Sequence, residues 1–347
     1  MTVLYVGYPH KTPNFTTIND ALAALPVMPE TDKVFPAPKD ICDEPVTIKI
    51  APGTYQEQFV VSTPNLTLEG EDAEHTILTY YLGAREILED GLKRGTFRTP
   101  TVRIDAQDFT ARNLTFENSA GYGHTVGQAL ALYVDGDRAV FENCRFLGSQ
   151  DTLFTAPLPL KEFEPGGFRG PGEHKPRIMG RHYYKNCFIR GDVDFIFGSA
   201  TAYFDGCTIF SQKPEDRKPA ENPDTEVIYG YIAAPSTPEN VKYGYVFRNC
   251  KLISDCPPRS VYLGRPWREF AKTVYIDCEL GEHIHPTGWV DWNKEHGNFF
   301  FAEYNSYGPG ASPKTRASFS HQLNEKDAAE YTIENVLGTP DGWKPLS

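Results

Sequence analysis

Short runs of Val, Ile, Leu, Tyr, Phe and Thr, broken by turn formers, occupy most of this 347-residue chain. Runs of these residues alternating with turn formers read as short strands. Only two stretches have helical spacing instead. Residues 16–25 carry Ile18, Leu22 and Leu25 on one face, with Pro26 as a stop. Residues 324–337 carry Tyr331, Val336 and Leu337, with Gly338 and Pro340 beyond the end.

One short pattern recurs among the strand-like runs. It is a turn-prone polar residue, then Leu or Cys, then any residue, then a large apolar one. Asn65-Leu-Thr-Leu, Asn113-Leu-Thr-Phe, Asn143-Cys-Arg-Phe, Asn186-Cys-Phe-Ile, Gly206-Cys-Thr-Ile, Asn249-Cys-Lys-Leu and Asp277-Cys-Glu-Leu all follow it. Phe141, Tyr184, Phe204, Phe247 and Tyr275 stand two residues ahead of the polar position. The intervals are 48, 30, 43, 20, 43 and 28 residues, so the shortest fits one coil of a solenoid. The longer ones fit either a coil with an insertion or two coils.

A unit of about 20 residues cannot bury its own apolar face, so units of this kind must stack. With no helices between the strands, the stack predicted is an all-β, single-stranded parallel β-helix. The Leu/Cys and following apolar positions point inward, and the polar residue sits at a bend. An antiparallel β-sandwich with chance similarity between its strands is the competing architecture. The two helices are expected to cap the ends of the stack. No linker-like composition divides the chain, so residues 1–347 form a single domain. The Pro/Gly-rich segment 156–177 falls between two repeats and is expected to be an inserted surface loop.

Charge narrows the partners. The formal charge is −12, which disfavours a nucleic-acid partner. No run approaches the ~18–20 apolar residues needed to cross a bilayer, so no membrane partner is expected. The first residues lack a basic segment, an apolar stretch and a cleavage site, so a cytoplasmic protein is expected if the chain is complete, or a secreted one with its signal removed. The seven cysteines contain no CxxC pair, and those in the repeats read as small buried apolar residues.

Candidate chemistry lies in three segments. No G-x-S-x-G, H-E-x-x-H, P-loop or G-x-G-x-x-G occurs. His283 and His285 could share a strand face, but no third ligand is near them in sequence, so no metal site is expected. Gly148-Ser-Gln150-Asp151-Thr-Leu-Phe carries an acid beside an amide. Gly191-Asp192-Val-Asp194-Phe-Ile-Phe-Gly buries an acid in an apolar run. Asp151 lies seven residues past Cys144, and Asp194 seven past Cys187. Equal offsets in stacked coils put the two acids one above the other, with perturbed pKa values. Tyr262-Leu-Gly-Arg265-Pro-Trp267 offers a guanidinium that can pair with a carboxylate through two hydrogen bonds, and an indole face of the kind sugar rings stack on.

Together these segments resemble the pectin methylesterase (pectinesterase) family, and its bacterial-type branch in particular. The matches are Gly127-Gln-Ala-Leu-Ala-Leu, Gln150-Asp-Thr-Leu-Phe, Gly191-Asp-Val-Asp-Phe-Ile-Phe-Gly and Leu263-Gly-Arg-Pro-Trp. Pro52 to Glu57, Gly288-Trp289 and Glu303-Tyr-Asn-Ser-Tyr-Gly-Pro-Gly add to them, in family order from about residue 15 to 312. The resemblance implies a right-handed β-helix that hydrolyses galacturonate methyl esters of pectin or methylated oligogalacturonides, with no cofactor. It implies Asp194 as nucleophile, Asp151 as general acid and then base, Gln150 and Gln128 as oxyanion donors, and Arg265 as the holder of the nucleophile. Trp267 is implied as a sugar-contacting wall, and Phe154, Phe197, Val193 and Trp289 are expected to join it in binding substrate.

Departures from the family pattern bear on substrate choice. Ile232-Ala-Ala-Pro-Ser-Thr stands where many plant members read Thr-Ala-Gln-Gly-Arg, and agrees with the bacterial branch. The 156–177 insertion is absent from plant members and is expected to overhang the cleft. Gln212 and Pro214 replace basic positions of bacterial relatives, which favours highly methylated or short substrates. The resemblance also implies a Cys187–Cys207 disulfide, which stays as two thiols in a reducing compartment.

Two other functions compete. A polygalacturonase or pectate lyase would share the fold, using paired carboxylates or a calcium site. A non-catalytic carbohydrate-binding solenoid would not retain Asp151, Asp194 and Arg265 together. Amides at 128 and 150 favour ester chemistry. A β-helix with capped ends needs no partner, so a monomer is expected.

Overall fold

The computed structural model describes residues 2–25, 44–215 and 227–346. Among these, the strands form three parallel sheets of twelve, eight and seven strands. The chain visits the sheets in turn, once per coil, and winds a right-handed parallel β-helix. In one coil, Ala139–Glu142 lies in the twelve-stranded sheet, Arg145–Leu147 in the eight-stranded and Leu153–Thr155 in the seven-stranded.

The repeat sets this path. Asn65, Asn113, Asn143, Asn186, Gly206, Asn249 and Asp277 all have φ between 52° and 63°. At all of these but Asn65, that left-handed conformation turns the chain from the twelve-stranded into the eight-stranded sheet, and Asn, Asp and Gly adopt it with the least strain. Asn305 does the same with φ 50°, a seventh bend of this kind, which the Leu/Cys pattern does not mark. Asn65 stands one bend earlier, where the chain enters the twelve-stranded sheet, level with Asp108. Asn143 pairs with Asn113, and Asn305 with Asp277, across adjacent coils.

Every interval of the repeat from Asn113 onward is a single coil, and the first is a coil plus one strand. The strand after Asn65 pairs with the strand before Asn113, whereas the strands preceding Gly206 and Asn249 pair directly although 43 residues separate the bends. Inward-facing rings confirm the register. Phe141, Tyr184, Phe204, Phe247 and Tyr275 stack in one column with centroids 4.9, 4.6, 4.5 and 4.5 Å apart and planes within 10° of parallel. Beside them Cys144, Cys187, Cys207, Cys250 and Cys278 are buried free thiols. Cys187 and Cys207 are thus not joined by the implied disulfide. Each thiol donates to a carbonyl of the preceding coil, as Cys187 does to Phe141.

The helices are shorter than their periodicity suggests. The first runs Ile18–Ala23, N-capped by Thr17, and buries Ile18 and Ala21 over the first coil; Pro26 lies outside the described residues. Its N-terminus meets the Glu57 carboxylate, which accepts from the Ile18 and Asn19 amides at 2.9 and 3.0 Å. The 324–337 stretch is two helices, Glu325–Ala328 and Ile333–Leu337, because Thr332 caps the second. They do not close the end of the stack. Val336 and Leu337 instead pack on Tyr183, Tyr203 and Val246, on the outer face of the twelve-stranded sheet. No helix among the described residues is long and apolar enough to cross a membrane.

Candidate active site

The two acids occupy equivalent places in consecutive coils. Leu153 pairs with Ile196 in the seven-stranded sheet, and the Asp151 amide donates to the Val193 carbonyl at 3.0 Å. The equal sequence offset is therefore a spatial one. Both residues are left-handed, with φ 63° at Asp151 and 51° at Asp194. This conformation breaks the strand alternation at the sheet edge. Asp194 also sits in a bulge, where the register with the next strand slips between Val193 and Ile196. A bulge re-aims side chains. Here Phe195 and Ile196 both face the core, and Asp194 is turned to the cleft. Gly191 permits the tight approach, since a Cβ there would lie 2.2 Å from that of Phe195.

Arg265, from the following coils, grips Asp194 bidentately, with Nε to Oδ1 at 2.8 Å and Nη2 to Oδ2 at 2.7 Å. The guanidinium lies between two rings, 3.8 Å from the centroid of Tyr231 and 3.8 Å from that of Trp292. Such stacking leaves it only in-plane donors to offer, and these meet the carboxylate. Burial alone would lower the Arg265 pKa, but Asp194 outweighs it and raises it. Asp151 has no such partner. Burial first, and the charge of Asp194 second, hold its carboxyl well above the usual 3.8, against smaller opposing effects of Arg265 and Gln150.

Gln128 and Gln150 lie on neighbouring coils, and the Ala129 amide donates to the Gln150 carbonyl at 3.1 Å. The short helix Gly123–Val126 presses on Gln150, and a Cβ on Gly123 would stand 2.5 Å from the Gln150 side-chain oxygen. Gln212, at one of the positions read as lacking a basic residue, is buried and donates to Ser149 Oγ and the Gly148 carbonyl at 2.8 and 3.0 Å. It braces the turn that carries Gln150 and Asp151.

The expected substrate contacts divide. Trp267 is half-buried, 5.6 Å from Phe197, and Val193 is half-exposed at the cleft. Phe154 is fully buried and Phe197 nearly so, so they lie beneath the surface. Trp289 does not face the cleft at all. It is 2% exposed and stacks on Phe301 at 4.6 Å in the interior, because its strand bridges Gly264 and turns the ring inward. Nothing in the sequence marks Tyr231 as a partner of Arg265, and only the distant Gly-Trp-Val-Asp-Trp run hints at Trp292. His283 is buried, which pushes its pKa down to about 4, and His285 lies against Tyr262 with ring centroids 4.6 Å apart and planes tilted by 40°. No cluster of three metal-ligating residues occurs among the described residues.

A parallel β-helix enzyme with a carboxylate pair, one acid clamped by arginine and the other desolvated, is the class that this fold and cleft define. The pectinesterase family profile matches residues 8–158 and 177–340, and the chain belongs to that family. It is 34% identical over 311 residues to Pectinesterase QRT1 of Arabidopsis thaliana, covering 87% of this chain and 71% of that one. It is 31% identical to Probable pectinesterase/pectinesterase inhibitor 64 of the same plant, but spans only 46% of its length. Pectin methylesterase PemA from Erwinia chrysanthemi superposes with a TM-score of 0.76 at 30% identity, covering 99% of this chain and 98% of that one. A pectin methylesterase crystallised with a hexasaccharide gives 0.77 at 30%, with the same coverage.

Proposed function

We propose that this chain removes methyl esters from galacturonate units of pectin or methylated oligogalacturonides through an aspartyl intermediate. The observation that carries the reading is the bidentate Arg265–Asp194 pair one coil from a desolvated Asp151. Asp194 attacks the ester carbonyl carbon, and the Gln128 and Gln150 amides donate to the oxyanion that forms. Preorganised donors of this kind are each worth about 3–4 kcal/mol. Methoxide is a poor leaving group, so its departure needs a proton. Asp151, protonated because its pKa is raised, supplies it, and methanol leaves an Asp194 anhydride. Asp151, now ionised, takes a proton from water, the hydroxide opens the anhydride, and Asp194 and the galacturonate carboxylate are released. No cofactor enters this scheme.

Two narrower readings accompany it. Ile232-Ala-Ala-Pro-Ser-Thr and the match to the Erwinia enzyme along nearly its whole length favour the bacterial-type branch. A monomer is favoured by the first helix, which covers the first coil.

The test is methanol release from highly methylated pectin and from a methylated oligogalacturonide. Wild type should release it, and Asp194→Ala should lose at least about 10³-fold in kcat/KM while keeping its melting temperature. Methanol release retained by Asp194→Ala would rule out the aspartyl mechanism. New reducing ends or unsaturated products in place of methanol would point to a glycosidase or lyase.

A further inference from the structure

Beyond the acids, the outer face of the seven-stranded sheet carries an apolar stripe. Tyr133, Phe154, Phe197 and Ala234 stand side by side on successive coils. Phe154 and Phe197 lie three residues past Asp151 and Asp194, so the stripe borders the carboxylate pair. Aromatic faces beside a catalytic pair make a natural floor for sugar rings. Here the floor is covered. Phe154 is 0% and Phe197 3% exposed. Phe97 lies 5.0 Å from Phe154 and 6.3 Å from Phe197, and Phe168, from the 156–177 insertion, lies 5.8 Å from Phe97 and 6.4 Å from Trp267.

The cover is built as a wall. Arg177 donates to the carbonyls of Pro159, Gly172, Lys175 and Glu173 and so ties the insertion to itself. Lys175 anchors it to Asp105 and Asp135 at 2.9 and 3.2 Å. At the cleft edge, the Arg268 guanidinium lies 3.5 Å from the Phe163 ring centroid and donates to the Lys161 carbonyl. Extensive internal bonding of this kind opposes local opening. The family match breaks between 158 and 177, so the wall is a feature of this chain and not of the shared framework. The other flank is open. A pocket of about 690 Å³ lies beside the Ser149–Gln150 turn, lined by Tyr122, Arg190, Gln212, Lys213 and Tyr229 among others.

We infer that the insertion closes the cleft on one side of Asp151 and Asp194, so that the enzyme works at or next to one end of a methylated oligogalacturonide and discriminates against the interior of long polymers. This inference rests on the esterase reading above. Ester groups in mid-chain would require sugar units on both flanks, and Phe97 and Phe168 occupy one of them.

The test is limited digestion of fully methyl-esterified hexagalacturonate, with the first free carboxylate located by tandem mass spectrometry. Wild type should free one of the two units at one end, and its kcat/KM per ester should exceed that on highly methylated pectin by about tenfold or more. Phe168→Ala, and a variant with residues 160–175 replaced by a short Gly-Ser linker, should narrow that ratio at least about threefold and add interior products. The wild-type map alone decides the matter should either variant fail to fold. Interior units freed first by wild type, with pectin turned over as fast per ester, overturn the inference and leave the esterase reading standing. No methanol from either substrate overturns both.

Discussion

The turn at 148–152 and the turn at 191–195 are the same structure twice. Each follows an inward cysteine at the same offset, each carries an aspartate with positive φ, and each aspartate is 8% exposed. Their chemistry nevertheless diverges. Asp194 meets a cation held flat between two rings, and at Asp151 burial and the neighbouring charge outweigh the smaller effects of Arg265 and Gln150. The helical repeat thus delivers two identical groups at a fixed spacing, and a single arginine from the coils beyond makes them unequal. Roles in an acid–nucleophile pair are assigned by surroundings, not by the residue.

The comparison can be broken from either side. The largest effect is expected where the proton donor is removed. Asp151→Asn should cut kcat on methyl esters by about 10³-fold, yet much less on esters with acidic leaving alcohols such as trifluoroethanol, which depart without a proton. An equal loss on both substrates would remove Asp151 from the acid role. Next comes the clamp. Arg265→Ala leaves Asp194 facing Asp151 without a cation, and should cost about 10²-fold in kcat and about 2–4 kcal/mol of stability, read by denaturant melts. Smaller again is Gly123→Ala. Its Cβ would collide with Gln150, so kcat should fall about tenfold with KM little changed, since the displaced amide serves the oxyanion.

The smallest effect sharpens the contrast through stability. Asp151 holds its proton in the folded state at pH values where the unfolded chain has lost it. The contribution of this group to stability therefore falls as pH rises from 3.8 toward the raised folded value. Asp151→Asn should remove that slope and raise the melting temperature at neutral pH by about 2 °C or more. Activity should fall over the upper part of the same range, as the acid form is lost. A melting temperature unchanged by Asp151→Asn across pH 4 to 8 would mean that burial does not tax this carboxyl.

Much of this was legible in the chain. Left-handed bends favour Asn, Asp or Gly, and a stacked interior favours the same small or apolar residue at each level, so the coils announce themselves as a repeat. The acid pair was legible for the same reason, because register converts sequence offset into position. What resisted reading depends on contacts between distant segments. The sequence does not mark Tyr231 and Trp292 as partners, since they meet only across Arg265. Trp289 follows a glycine in a family-like motif, but which way its ring turns depends on the bridge to Gly264. Helical periodicity at 324–337 reported an apolar face without saying which surface it covers, and the sheet with outward-facing Tyr183 and Tyr203 proved to be its seat.

The column of thiols has a consequence for how the molecule comes apart. Cys144, Cys187, Cys207, Cys250 and Cys278 sit one to a coil, each shielded by the coils on either side. Burial pushes Cys144 up to about 12, so it is inert toward alkylating reagents while its coil is closed. A pulse of labelling reagent therefore acts as a counter. The identity of the modified cysteines records which rungs have opened, and the order in which they react reads out whether the stack frays from an end or yields all at once.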